Sequence, residues 1–288
     1  MTYETTETTD ALTLAVPEPP APGLPRPGNR IAVHVPDRHN PTLRQIMEAV
    51  AADDELYTLW YCQNVNAVDR LGMTDHGPVH VRIVANIALR LLRLLMARGI
   101  QPNVVRDHGL TADDAEVVVV LAALMHDLGM SIHRAGHEEY SLFIAQQKLN
   151  DILPGAYPDP VVRTVIRSEV LHAIIAHRRE GRPLTLEAGI VRVADALDMA
   201  QGRSRIPFER GELNIHSVSA MAIERVTLEP GETKPVRARI LMRNSAGIFQ
   251  IDELLKEKLK GSGLENYIEV LATIERETEA PLVQIFRL

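Results

Sequence analysis

This sequence concentrates its chemistry in histidine and aspartate. Of 11 histidines, eight lie between positions 76 and 177, and their spacing is more informative than their number. His76 and His80 are four apart at a helix start and share a face; His133 and His137 repeat that spacing. His126 and Asp127 are adjacent. His172 and His177 are five apart, which turns them away from each other around a helix, so one of the pair faces a common site. Asp195 and Asp198 are three apart and share a face. Imidazole and carboxylate are ligand types for zinc, manganese and iron. A carboxylate next to a histidine has a further use, because its two oxygens can serve two ions while the histidine fixes one of them. A pair of ions polarises a phosphoryl oxygen, lowers the pKa of a water between them and steadies the leaving oxygen. Such chemistry needs no serine or cysteine nucleophile, and the sequence has neither a nucleophile elbow nor a Gly-rich phosphate loop.

Helices must position these residues. Asn40-Pro41 opens one, with proline in its first turn. Asp75 caps the next, whose apolar stripe of Val84, Ile87, Ala88, Leu91, Leu92 and Leu95 stops at Gly99. Thr111 caps another that ends at Gly129; its Val117–Val120 run looks like a strand locally, but the length, cap and glycine stop favour helix. Further helices fit His137–Leu149, Pro160–Arg179 and Thr185–Met199. After about 205 the pattern turns to alternating or β-branched segments at Ala222–Leu228, Pro235–Met242, Tyr267–Ala272 and Leu282–Phe286. A helix from Ile248 to Lys260 lies between the second and third, and Glu229-Pro230-Gly231-Glu232 reads as a hairpin turn. Residues 1–29, rich in Thr, Pro and Gly, bury too little apolar surface to offset their ordering entropy and read as a disordered tail. The expected organisation is this tail, a helical domain over 30–204 and a small α+β domain over 205–288.

Five strings in order, DHGPVHVRIV (75–84), LAALMHDLGM (121–130), HEEYSLFIA (137–145), AIIAHRREG (173–181) and VRVADALDMA (191–200), carry a family resemblance. The order H…HD…H…H…D resembles the HD superfamily of metal-dependent phosphohydrolases, over roughly residues 70–205. The resemblance implies a mainly α fold: an HD helical bundle with the smaller α+β domain beside it. It implies that His80, His126, Asp127 and Asp195 hold a first metal. It implies that His137 and His177 hold a second, with Asp127 bridging. Helical phase agrees with His177 over His172. Two divalent ions (Mn, Fe, Mg or Zn) are the implied cofactors. The sequence departs from many signalling members, which read HDxGK where this chain has Met130 after Gly129, and which pair histidines where it has His177-Arg178. The GYP signature of cyclic dinucleotide phosphodiesterases is absent. The stretch MRNSAGIFQIDELLKEKLKGSGLENYIEV (242–270) is similar to a tail beside HD domains in other phosphohydrolases, and it implies no activity.

The expected activity is hydrolysis of a phosphate ester on a nucleotide or related small molecule. Asp127 is its central residue, with His76 or His133 donating a proton to the leaving oxygen or contacting the phosphate. Arg178, Arg203 and Arg205 are candidate phosphate contacts, since guanidinium suits phosphate oxygens, although each read singly is a solvated surface charge. Asp198 reads as the hydrogen-bond partner of a ligand. His172 reads as structural, and His34, His39, His108 and His216 as surface residues. Other classes share these residues: an HD-fold di-iron oxygenase, a nucleotide-binding sensor and an HD-type nuclease. A net charge of −7 and the lack of a basic, aromatic-laced stretch place nucleic acid behind a small phosphorylated molecule as partner. The single cysteine, Cys62, excludes an internal disulfide and a thiolate cluster. No apolar run is long enough to cross a bilayer, and the N-terminus does not read as a signal peptide, so the expectation is a cytoplasmic protein; a helical catalytic domain with an added α+β module often dimerises, so a homodimer is expected.

Overall fold

Side-chain caps and prolines set where the helices begin. The computed structural model describes residues 24–178, 180–200, 219, 221–274 and 285–287. Arg203, Arg205, His216 and most of the N-terminal tail lie outside the described residues; Pro27–Asn29 form a 3-10 turn. Helix α1 (Pro41–Ala52) starts where the Asn40 side chain accepts the Leu43 N–H. Helix α2 (Asp54–Asn64), capped by Asp53, runs on into a π-helical turn at Val65–Arg70. In front of α3 (Pro78–Ala97), the Asp75 carboxylate accepts the N–H groups of Gly77 and His80, at 3.1 and 3.2 Å. Gly99, at φ +78°, takes the left-handed turn that ends this helix region. A short α4 (Asn103–His108) follows.

Helix α5 (Ala112–Met125) begins with a capping box between Thr111 and Asp114. Every residue from Ala115 to Met125 is buried, so α5 is the central rod of the bundle. The valine run is helical because packing on all sides outweighs its weak intrinsic preference for strand. The helix stops at Met125 rather than at Gly129; His126 and Asp127 form the turn after it, and a 3-10 turn covers Leu128–Ser131. Helix α6 (His137–Ala156) outruns its expected end at Leu149. Helices α7 (Pro160–Ala176) and α8 (Leu186–Leu197) end slightly before the expected Arg179 and Met199. Helices α1, α3, α7 and α8 pack around α5. Each large apolar side chain buried there contributes roughly 1.5–3 kcal/mol relative to exposure.

The C-terminal part is a four-stranded sheet in the order β1-β2-β3-β4. β1 (Ile223–Pro230) and β2 (Val236–Met242) form an antiparallel hairpin, closed where the Gly231 N–H donates to the Pro235 carbonyl at 3.1 Å. β2 and β3 (Ile268–Ile274) are parallel and need a crossover. Helix α9 supplies it, running as Ile248–Gln250, a π-helical stretch Ile251–Lys256 and Glu257–Leu259. β4 (Ile285–Arg287) is antiparallel to β3. One face of the sheet, with Ile223, Val236, Ala238, Ile240, Val270 and Ala272, joins the same apolar core as the helices. Helix α8 approaches the segment after α9 so closely that a Cβ on Gly189 would strike the Ser262 carbonyl.

Candidate metal centre

The turn after α5 is held from two sides. The Ser141 hydroxyl donates to the His126 carbonyl at 2.7 Å and accepts the Gly129 N–H at 2.8 Å. Gly129 lies against the backbone of His137 and Ser141, leaving no room for a Cβ. The Asn66 amide donates to the carbonyls of Met130 and Ser131 at 2.7 and 3.1 Å. Met130 is a buried apolar side chain.

Around this turn the structure brings together His80 from α3, His126 and Asp127, His137 from α6, His177 at the end of α7, and Asp195 from α8. His80 Nε2 lies 3.3 Å from His126 Nε2, 3.5 Å from Asp127 Oδ2 and 3.6 Å from Asp195 Oδ1. His126 Nε2 lies 3.4 Å from Asp127 Oδ2 and 3.8 Å from Asp195 Oδ1. On the other side of the carboxylate, Asp127 Oδ1 lies 3.1 Å from His137 Nε2 and 3.6 Å from His177 Nε2. Glu138 stands beside that second set, its Oε2 2.9 Å from His137 Nδ1. His80 with His126 and Asp195, His126 with Asp127 and His177, and His137 with Glu138 and His177 each present ligand atoms within 4.8 Å of one another.

The donor chemistry fits a cation. His80 Nδ1 faces the Asp198 carboxylate at 2.7 Å, His126 Nδ1 the Ala123 carbonyl at 2.8 Å, and His177 Nδ1 the Ile174 carbonyl at 2.5 Å. Each acceptor takes a proton from Nδ1, which leaves a neutral ring with a lone pair on Nε2. The Nε2 atoms of His80, His126 and His177 converge on each other and on the carboxylates of Asp127 and Asp195, a buried set of ligand-type atoms. Atoms about 2.0–2.2 Å from one ion fall about 3–4 Å from each other, and the observed separations match. Electrostatics divide the cluster, keeping Asp127 ionised and His177 neutral while favouring a proton on His137. Burial alone would raise the Asp127 carboxyl, but His126 and its hydrogen-bonding histidine neighbours hold it well below the usual carboxylate range. Burial opposes charge on His137, yet Asp127 and Glu138 lift it to about 9. Burial likewise works against ionising Glu138, but His137 draws it down to about 2. Burial lowers His177, which favours its neutral, lone-pair form.

The remaining candidates fall around this cluster. His76 is buried, its ring centroid 5.4 Å from that of His80, and its Nδ1 lies 2.7 Å from the Thr74 carbonyl. His133 is on an exposed loop, where its Nδ1 accepts the Ala135 N–H at 3.1 Å; the structure does not bring it into the cluster. Arg178 pairs with Glu139 at 3.1 Å at the rim. His172 is outside, its Nε2 accepting the Leu184 N–H at 3.0 Å. Sequence reasoning missed Glu138, which reads as an ordinary acid in a helix first turn, although its adjacency to His137 repeats the His-Asp pattern. It also missed Lys258, whose ammonium donates to the His177 carbonyl and lies 3.4 Å from Asp195 Oδ2.

A helical bundle with an H…HD…H…H…D cluster defines a class, and the comparisons agree. The HD domain family matches residues 79–200, which contain the six clustered His and Asp residues. The chain is also similar to "Uncharacterized protein MJ1020" of Methanocaldococcus jannaschii, 41% identical over 234 residues that cover 81% of this chain and 90% of that protein. The chain belongs to the HD-domain family, whose domains are generally metal-dependent phosphohydrolases. Among the described residues no helix is long and apolar enough to cross a membrane.

Proposed function

We propose that the protein hydrolyses a phosphate ester of a nucleotide or related small molecule, using two divalent ions. One observation carries the reading: the two oxygens of Asp127 face two separate histidine sets, Oδ2 toward His80 and His126, Oδ1 toward His137 and His177. His80, His126, Asp127 and Asp195 would hold one ion; His137, His177 and Asp127, with Glu138 beside them, would hold the other. Bound there, Mn, Fe, Mg or Zn would polarise a phosphoryl oxygen and lower the pKa of a water. The chain's own side chains then orient and exclude. The carbonyls of Ala123 and Ile174 and the carboxylate of Asp198 keep the imidazole lone pairs aimed inward. His76, beside His80, would pass a proton to a leaving oxygen. Arg178 is the described candidate for the substrate phosphate, with Arg203 and Arg205 proposed alongside it. The reading includes a cytoplasmic homodimer, whose assembly state light scattering checks.

The test is metal content of protein purified without added metal, with hydrolysis of bis-p-nitrophenyl phosphate and p-nitrophenyl phosphate across Mn, Mg, Zn, Co, Ni and Fe. About two ions per chain with metal-dependent nitrophenol release is expected. Asp127→Ala should cut that release about 1000-fold, since the ions supply several kcal/mol of charge stabilisation. Full activity in Asp127→Ala sinks the mechanism. Bound iron with oxygen uptake and no hydrolysis moves the reading to a di-iron oxygenase.

A further inference from the structure

Met130, just after the HD turn, is buried and apolar, and a lysine reaches the cluster from the far end of the chain. Lys258 stands at the end of α9. Its ammonium donates to the main-chain carbonyl of His177 and approaches Asp195 Oδ2 to 3.4 Å. The other oxygen of the same carboxylate, Oδ1, faces His80 and His126 at 3.6 and 3.8 Å. The two oxygens of Asp195 are thus divided between the imidazoles and the lysine. Arg192, three residues earlier on α8 and buried, seats this end of α9. Its guanidinium donates to the carbonyls of Arg178, Gly181, Lys258 and Glu257, the last three at 2.9, 2.8 and 3.3 Å. One helix therefore carries both the carboxylate and the clamp that brings a lysine to it.

We propose that Lys258 is a positioning residue of the metal centre, fixing Asp195 and the end of α7, so that the C-terminal segment completes the site. The inference rests on the metal reading above. Two effects of the ammonium oppose each other. As a charge it repels a bound cation; as a donor it restrains the rotation of the Asp195 carboxylate and keeps Oδ1 inward. The Lys258 side chain is only 18% exposed, so solvent screens its charge weakly, but the Asp195 carboxylate beside it offsets that charge, while the orientation needs only contact. Orientation therefore wins.

The experiment is Mn2+ titration of metal-free full-length protein, wild type against Lys258→Met, Lys258→Arg and Lys258→Gln, with circular dichroism to verify folding. Lys258→Met is expected to weaken Mn2+ binding about 10-fold or more, the usual effect of losing a group that orients a ligand. Lys258→Arg keeps a donor and is expected to restore most of that loss. In an Asp195→Asn background, Lys258→Met should cost clearly less than in wild type, because the part of its effect that runs through Asp195 is already gone and only the His177 carbonyl contact is left to lose. Equal or tighter binding in Lys258→Met overturns the proposal, as does an undiminished loss in the Asp195→Asn background. If Lys258→Met does not fold, the comparison of Lys258→Gln with Lys258→Arg decides: Gln binding as tightly as wild type, with Arg no different, overturns it. Wild type that binds no Mn2+, Zn2+, Fe2+ or Co2+ removes the metal reading itself, whereas a metal-binding wild type matched by Lys258→Met removes this inference alone.

Discussion

The two sides of Asp127 are built differently. On the Oδ2 side, His80 and His126 are fully buried, and Nδ1 of each ring faces an acceptor, the Asp198 carboxylate or the Ala123 carbonyl. On the Oδ1 side, His137 sits at the first residue of α6, and its Nδ1 is shared by Glu138, the Arg134 carbonyl and the Arg134 guanidinium, at 2.9, 3.0 and 2.8 Å. A nitrogen cannot donate to one of these and accept from another at the same time. Both rings of the first half are organised in advance; in the second half His177 is too, through the Ile174 carbonyl, and only His137 must reorganise to take a ligand. Preorganised sites bind more tightly because the ordering cost is already met. On the two-ion proposal, the difference predicts unequal affinities, tighter on the Oδ2 side and weaker on the Oδ1 side.

Alanine at one histidine on each side gives the largest contrast. His80→Ala is expected to lose all bound metal and about 1000-fold in hydrolysis, whereas His137→Ala keeps about one ion per chain. Metal analysis of the two variants checks this, and equal losses would break the comparison. Next in size, Asp198→Ala removes the acceptor on His80 Nδ1 and should weaken metal binding about 10–100-fold, read by titration calorimetry. Smaller again is Gly129→Ala, which forces a methyl group into the backbone of α6 where the two halves meet. It should cost about 1–3 kcal/mol of stability, visible in urea unfolding of metal-free protein.

The smallest effect sharpens the contrast from outside the site. Burial lowers His172 below its ordinary 6.5, and its neutral ring accepts the Leu184 N–H. A histidine depressed in the folded state contributes stability that is full above pH 6.5 and lost as pH falls through the folded value. The melting-temperature advantage of wild type over His172→Gln should therefore shrink below pH 6.5, with metal affinity unchanged. An advantage that grows on acidification would reverse the sign of this argument.

Much of this was legible in the residues. Caps at Asn40 and Thr111, the proline at 41 and the stop at Gly99 each encode their consequence locally, so these helix boundaries could be read directly. The family order of H…HD…H…H…D named the six residues that converge. What could not be read depends on distance in the chain. Lys258 lies in a run of leucine and charge (LLKEKLKG) that looks like an ordinary amphipathic helix, and nothing local links it to Asp195. Glu138 was hidden because an acid in a helix first turn already has a reason to be there, the helix dipole. His133 shows the converse: its spacing from His137 promised a shared face, but the helix starts only at His137, so the spacing has no helix to act through. Helix α2, with its Tyr-Thr-Leu-Trp-Tyr stretch, lacks a clean apolar stripe and shows itself only through packing.

Helix α5 has one more consequence. Its amides lie in a rod buried on every side from Ala115 to Met125, with α1, α3, α7 and α8 as its walls. No part of that rod reaches solvent without parting its walls, so its backbone hydrogens should exchange with deuterium only through global unfolding. His126 and Asp127 hang directly from its end. The two candidate ligands at its end are thus tied to a segment expected to exchange slowly, while His137 stands in the first turn of its own helix, packed on Gly129.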